Sequence, residues 1–303
     1  MKIAQSIPEY LESKRAQHLS PRTLEDYEGI LHKFAREIGE REVSDIDVKD
    51  VRHYLASLTT VSKKRVKNVH TTLSSFWTWA VADDICSTHI PRLVKPPKPE
   101  KRVIVPITKW EIKALLEATD CSNLYARRGK SAELYRLRNS RRDQAIIFFL
   151  VDTGVRASEL CQLQMGEVGF DNACVHGKGS KDRIVPISRS TMNRLKSYTS
   201  LKKRNIKDFV FRTKDDNPLT SDSLRAIIIR VASRAGLSGI HPHRFRHTFA
   251  INFLRNGGDI FSLQMILGHE TLDMVRRYLA IAQTDIQKAH RKASPVENWG
   301  LDI

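Results

Sequence analysis

The stretch HPHRFRHTFA, residues 241–250, sets three histidines and two arginines within its first seven positions. Pro242 suits the first position of a helix, and Gly257-Gly258 suit its end. His243 and Arg246, three apart near the helix start, point to one side. An arginine offers a planar fork of donors that matches paired phosphate oxygens, and an imidazole exchanges a proton near neutral pH. Read alone, the stretch is either a phosphate-binding helix start or a basic surface. His243 and His247 have the i,i+4 spacing of a metal pair, but the glutamate of H-E-x-x-H is missing, so no metal is expected.

The rest of the chain favours a polyanionic partner. Its 303 residues exceed the usual single-domain size and predict two domains. Lys+Arg number 51 against 34 Asp+Glu, a net charge of +17, which points to nucleic acid ahead of an anionic membrane. Through position 95 there are 15 basic and 13 acidic residues, and after it 36 and 21, so +15 of the surplus lies in the second part. No apolar run approaches the ~18 residues of a spanning helix, and MKIAQSIPEY lacks a signal peptide's apolar stretch. The expectation is a cytoplasmic, nucleoid-associated protein. Cys86, Cys121, Cys161 and Cys174 form no C-x-x-C pair and read as free thiols rather than a zinc site.

The segment VKPPKPEKR (94–102) reads as a stiff basic linker between a domain at 1–93 and another at 103–303. The first is helical throughout. Ser20 and Pro21 open a helix with Thr23, Tyr27, Ile30, Leu31 and Phe34 at helical spacing. A later one carries Val66, Val69, Leu73, Phe76, Trp77 and Ala80 on one face, with Lys63, Lys64, Arg65 and Lys67 in its first turns. That cluster is either a solvated helix end or a DNA-facing surface. In the second domain, Thr108-x-x-Glu111 is a capping box. Residues 121–142 form a basic loop or short helix, and DQAIIFFLVDTG is a buried helix that stops at Gly154. ACVHGKGSKDRIVPIS reads as two short strands around a glycine turn, followed by helices near 189–202 and 221–235. Asp259 and Thr271 cap two short helices, the first stopped by Gly268. The fold class is mainly α, with a small antiparallel sheet in the second domain.

Three more motifs accompany the opening one. In DTGVRASEL (152–160), Arg156 stands at a helix start and Glu159 is placed to hold its guanidinium. In VHGKGSKDR (175–183), Lys178 sits between two glycines at a hairpin tip. In LGHETLDMVRRYLAI (267–281), His269 follows Gly268 and Tyr278 comes nine residues later. Each motif alone has a bland reading: a surface ion pair, a plain turn, a buried tyrosine.

Taken in order, Arg156, Lys178, His243-x-x-Arg246, Leu267-Gly268-His269 and Tyr278 resemble the tyrosine recombinase (phage integrase) family, of the Xer-like kind. The resemblance covers nearly the whole chain, the long basic segment 121–142 being the one departure. It implies a helical, SAM-like core-binding domain and an α/β catalytic domain of the DNA breaking-rejoining enzyme fold. It implies site-specific recombination or integration of double-stranded DNA through a 3′-phosphotyrosyl intermediate, without metal, ATP or other cofactor. Arg156 and Arg246 would clamp the scissile phosphate, Tyr278 attack it, His243 act as base, His269 contact the phosphate or place the nucleophile, Lys178 protonate the leaving 5′-oxygen, and Glu159 support the site. His241 and His247 read as structural. DNA contacts are expected from Lys63, Lys64, Arg65, Lys67, Arg127, Arg128 and Arg244, with no membrane partner. The tail, about 282–303, would dock on a neighbouring protomer in a tetramer on paired sites, with weak self-association off DNA. The alternatives are a type IB topoisomerase-like enzyme and a catalytically inert DNA-binding regulator.

Overall fold

The computed structural model describes residues 1–99, 103–120, 137, 139–177, 182–282, 290 and 294–300. Lys178, Arg127 and Arg128 lie outside them, as do most of the basic segment 121–142 and of the tail after 282. The chain separates into two compact units, Met1–Val103 and Ile104–Ile303. The break thus follows the expected linker rather than preceding it. Val94, the first linker residue, is buried in the first unit, and its carbonyl accepts a hydrogen bond from His70 Nε2 at 2.8 Å.

The first unit is built from α1 (Ile3–Ala16), α2 (Pro21–Ile38), α3 (Val48–Ser57) and α4 (Lys63–Ala82). Ser20 and Ser62 cap α2 and α4 by accepting the backbone N–H three residues on. The apolar stripes meet in a core of Tyr10, Phe34, Phe76 and Trp77, with Tyr10–Phe76 and Phe34–Trp77 packed edge to face at 5.4 and 5.9 Å. Lys63, Lys64 and Lys67 are exposed at the start of α4, and Arg65 pairs with Asp26 of α2 at 3.4 Å.

The second unit comprises α5 (Lys109–Glu117), α6 (Ser140–Thr153), α7 (Ala157–Gln162), strands β1 (Asn172–His176) and β2 (Asp182–Pro186), α8 (Arg189–Thr199), α9 (Ser221–Arg234), α10 (Pro242–Arg255), α11 (Ile260–Leu267) and α12 (Leu272–Ala282). The strands pair antiparallel, with Asn172 opposite Pro186 and His176 opposite Asp182. One apolar cluster gathers Ile146, Phe149 and Leu150 of α6 with Val175, Val185, Phe211 and Phe245. A smaller one joins Ile251 and Leu254 of α10 to Leu263, Leu267, Val275 and Tyr278. Helix α10 serves both, because Phe245 enters the first cluster and its later turns the second. The polar groups of the opening motif therefore stand where the two clusters meet.

Candidate active site

Helices α6 and α11 both end on a left-handed glycine, Gly154 (φ 61°) and Gly268 (φ 63°). A Cβ at Gly154 would collide with the Phe249 ring, so both space and backbone require glycine there. A helix C-terminus leaves carbonyls without intrahelical donors and carries the negative end of the helix dipole. Guanidiniums take these carbonyls. Arg246, 2% exposed on α10, donates from Nη1 to Gly154 O at 2.9 Å and from Nη2 to Leu267 O at 2.7 Å. Arg183 of β2 donates from Nε to Ile266 O at 2.7 Å, and Arg156 from Nη2 to Gly268 O at 3.4 Å. Three consecutive carbonyls at the end of α11 thus hold arginines from three different elements.

Glu159, 3% exposed in the first turn of α7, ties two of them together. Arg183 meets its carboxylate with two parallel bonds of 2.8 Å, while Arg156 adds Nη1 and its own backbone N–H, each at 2.7 Å. Burial alone would raise this carboxyl, but the bonds and charge of Arg183 and Arg156 outweigh it and bring it down to about 2. Its stabilising effect is therefore complete above the ordinary value near 4.5 and is lost as pH falls through about 2. Glu159→Gln should cost on the order of 3 kcal/mol at neutral pH and flatten the acid limb of stability between those values. Urea unfolding at a series of pH values checks this; an unchanged acid limb would show that another group governs it.

Among the described residues, Glu159 is the one carboxylate bonded to these guanidiniums, one negative charge against three positive. Burial and the charge of Arg156 lower Arg246 to about 10, which still leaves it charged at neutral pH. The Arg156 side chain, 40% exposed, opens the cluster to solvent. His269 completes it. Its Nε2 accepts from Arg246 Nη2 at 2.9 Å, so the neutral ring carries its proton on Nδ1. Burial, then the charges of Arg246, Arg156 and Arg183, push this imidazole down to about 4. Nδ1 is buried with no hydrogen-bond partner among the described residues, an N–H donor that suits an incoming oxygen.

Tyr278 on α12 lies beside this cluster, its ring parallel to that of His269 within 12° at 6.4 Å. It is 3% exposed, and burial raises the phenol while the charges of Arg246 and Arg277 oppose the rise. The phenol's partner differs from the one the sequence suggests. The hydroxyl bonds His247 Nδ1 at 2.9 Å, whereas His243, the expected base, is exposed on the preceding turn with its ring 4.3 Å from that of His247. Arg244, expected to contact DNA, has its guanidinium 16% exposed and bonded to Glu111 at 3.1 Å and to the carbonyls of Val105 and Pro106. The structure thus adds Arg183, which the motifs do not single out, and His247, which the sequence reads as structural, to the candidate site.

The profile described as "Phage integrase family" matches residues 107–285. The chain belongs to the phage integrase family. A second profile, the N-terminal SAM-like domain of phage integrases, matches residues 7–86 of this integrase-family chain. Among its relatives, the tyrosine recombinase XerC of Oceanobacillus iheyensis is 29% identical, with 96% of this chain and 95% of the relative covered. The tyrosine recombinase XerD of Staphylococcus haemolyticus is 28% identical over 95% of this chain and 98% of that protein. Lambda integrase(75-356), solved as a dimer bound to a core site, shares the fold at a TM-score of 0.73 and 17% identity, covering 90% of this chain and 97% of that one. XerH bound to palindromic difH substrate gives 0.69 and 20%, covering 92% and 82%. This integrase-family chain is a tyrosine site-specific recombinase. Among its described residues, no helix is long and apolar enough to cross a membrane.

Proposed function

We propose that the chain cuts and rejoins double-stranded DNA through Tyr278, held against a phosphate clamp of Arg156, Arg246 and His269. The observation that carries this reading is the excess of guanidiniums over bonded carboxylates, three to one among the described residues, beside a buried tyrosine. A phosphodiester carries one negative charge, and the five-coordinate species formed by an attacking phenolate carries two. A fixed excess of guanidiniums therefore binds the transition state more tightly than the substrate, which is what acceleration requires. Attack forms the Tyr278 Oη–phosphorus bond and breaks the bond to the 5′-oxygen, leaving a 3′-phosphotyrosyl link. Lys178 would protonate that oxygen, and Glu159 with Arg183 hold Arg156 in place. Tyr278 is buried, so engagement of DNA has to uncover it. The link conserves bond energy, so a 5′-hydroxyl from another strand reverses the step without ATP.

The arginines supply the charge that divalent ions bring to two-metal nucleases. Cleavage should then persist in excess chelator. The direct test is trapping of a DNA-linked protein on a nicked duplex in a denaturing gel. The duplex is selected from a library randomised over about 30 base pairs. Site-dependent exchange rather than plain supercoil relaxation separates recombination from topoisomerase-like relaxation, and an inert regulator gives no linked species.

Exposed Lys63, Lys64 and Lys67 at the start of α4 suit phosphate contacts. DNA affinity should fall steeply and linearly in log salt, with a slope of about −0.9 per phosphate neutralised. Filter binding from low to moderate salt measures it; a flat dependence would remove the electrostatic basis of this reading. We place the protein on nucleoid DNA in the cytoplasm. On paired sites it would act as a tetramer, the tail after 282 docking on a neighbour where Phe261 and Met265 of α11 expose apolar side chains.

A further inference from the structure

Resting on the strand-transfer reading above, we propose that His247 is a catalytic residue: its Nδ1 holds the Tyr278 hydroxyl and takes its proton as the oxygen bonds to phosphorus. The 2.9 Å bond between these atoms is the one the phenol makes among the described residues. His247 directly follows Arg246, so one turn of α10 carries both the clamp and the acceptor. It also shares a helical face with Ala250, Ile251 and Leu254, the side of α10 that packs in the cluster containing Tyr278. His243 on α10 and His241 just before it, together with Arg246, Tyr278 and the nearby His269, are the titratable and charged groups around it. Burial, then His243, His241 and Arg246, hold the imidazole down to about 4, so at neutral pH it presents a lone pair rather than a second proton.

The step balances. The Oη–phosphorus bond forms with the oxygen's electron pair, the phenolic proton passes to Nδ1, and the phosphorus–5′-oxygen bond breaks. The 5′-oxygen leaves with a proton from Lys178. On religation the imidazolium returns its proton to the departing phenol. Resting His247 does not ionise the phenol, because a lowered imidazole and a raised phenol keep the proton on oxygen until phosphorus withdraws charge.

The test uses the full chain and the selected nicked duplex. His247→Ala should slow formation of the Tyr278-linked species by on the order of 10²–10³-fold while DNA binding stays unchanged. His247→Asn, whose amide oxygen is an acceptor without useful basicity, should be comparably slow, and it carries the test should the alanine variant fold poorly. Added imidazoles should restore the alanine variant, faster with greater basicity, and should leave Lys178→Ala unaffected. Wild-type rates in His247→Asn, or imidazole rescue of His243→Ala instead, would overturn this inference alone. A wild-type protein that forms no Tyr278-linked species would overturn the strand-transfer reading, and this inference with it.

Discussion

Tyr278→Phe should abolish the DNA-linked species, a loss on the order of 10⁴-fold or more, while DNA affinity stays within about twofold. The substitution removes one oxygen from a ring that is 3% exposed within the smaller apolar cluster, so the packing of Val275, Leu263 and Leu267 around it is kept. The hydrogen bond to His247 is lost, which costs only about 1 kcal/mol net. Melting should therefore shift by a few degrees at most. Denaturing gels, gel shifts and a thermal melt on the same preparation read all three quantities. A surviving covalent band would mean that another side chain attacks the phosphate, and the assignment of Tyr278 would be wrong.

Arg246→Lys is expected to be nearly as severe. Lysine keeps the charge but not the fork, and the fork is what spans Gly154 O, Leu267 O and His269 Nε2 at 2.9, 2.7 and 2.9 Å. Covalent complex formation should fall about 10³-fold, the scale seen when a fixed donor to a developing oxyanion is removed. Stability should fall too, by about 1–3 kcal/mol for each buried acceptor left unpaired. That corresponds to about 2–4 °C per kcal/mol in a unit of this size. Single-turnover kinetics below the lowered melting point separates the two effects. A variant that melts early yet cleaves at the wild-type rate would confine Arg246 to a structural part.

Much of this was legible before any coordinates, for local reasons. Arg156 and Glu159 are three residues apart beside a glycine break, a spacing that fixes their contact within one helical turn. The caps at Ser20, Thr108 and Asp259 are likewise local, and each holds in the structure. What stayed hidden is tertiary. Arg183 shares the inner face of β2 with Val185, and a charged residue at an inward strand position calls for a buried partner; the sequence does not say that the partner is Glu159. His243 takes the role of base from the family resemblance, through the His243-x-x-Arg246 motif. The phenol instead meets α10 one turn later, along the face of Ala250, Ile251 and Leu254. For Arg244 only the charge is visible in the sequence; its ion pair with Glu111, 133 positions away, is not.

The end of α11 has a consequence for how this enzyme fails and how it is controlled. The helix is eight residues long and exposes Phe261 and Met265 to solvent. Yet its last carbonyls anchor Arg246, Arg183 and Arg156 together. A small rigid displacement of this short rod would detune every cation of the clamp in concert. Damage there should look all-or-none in a kinetic assay, even when the altered residue touches neither tyrosine nor phosphate.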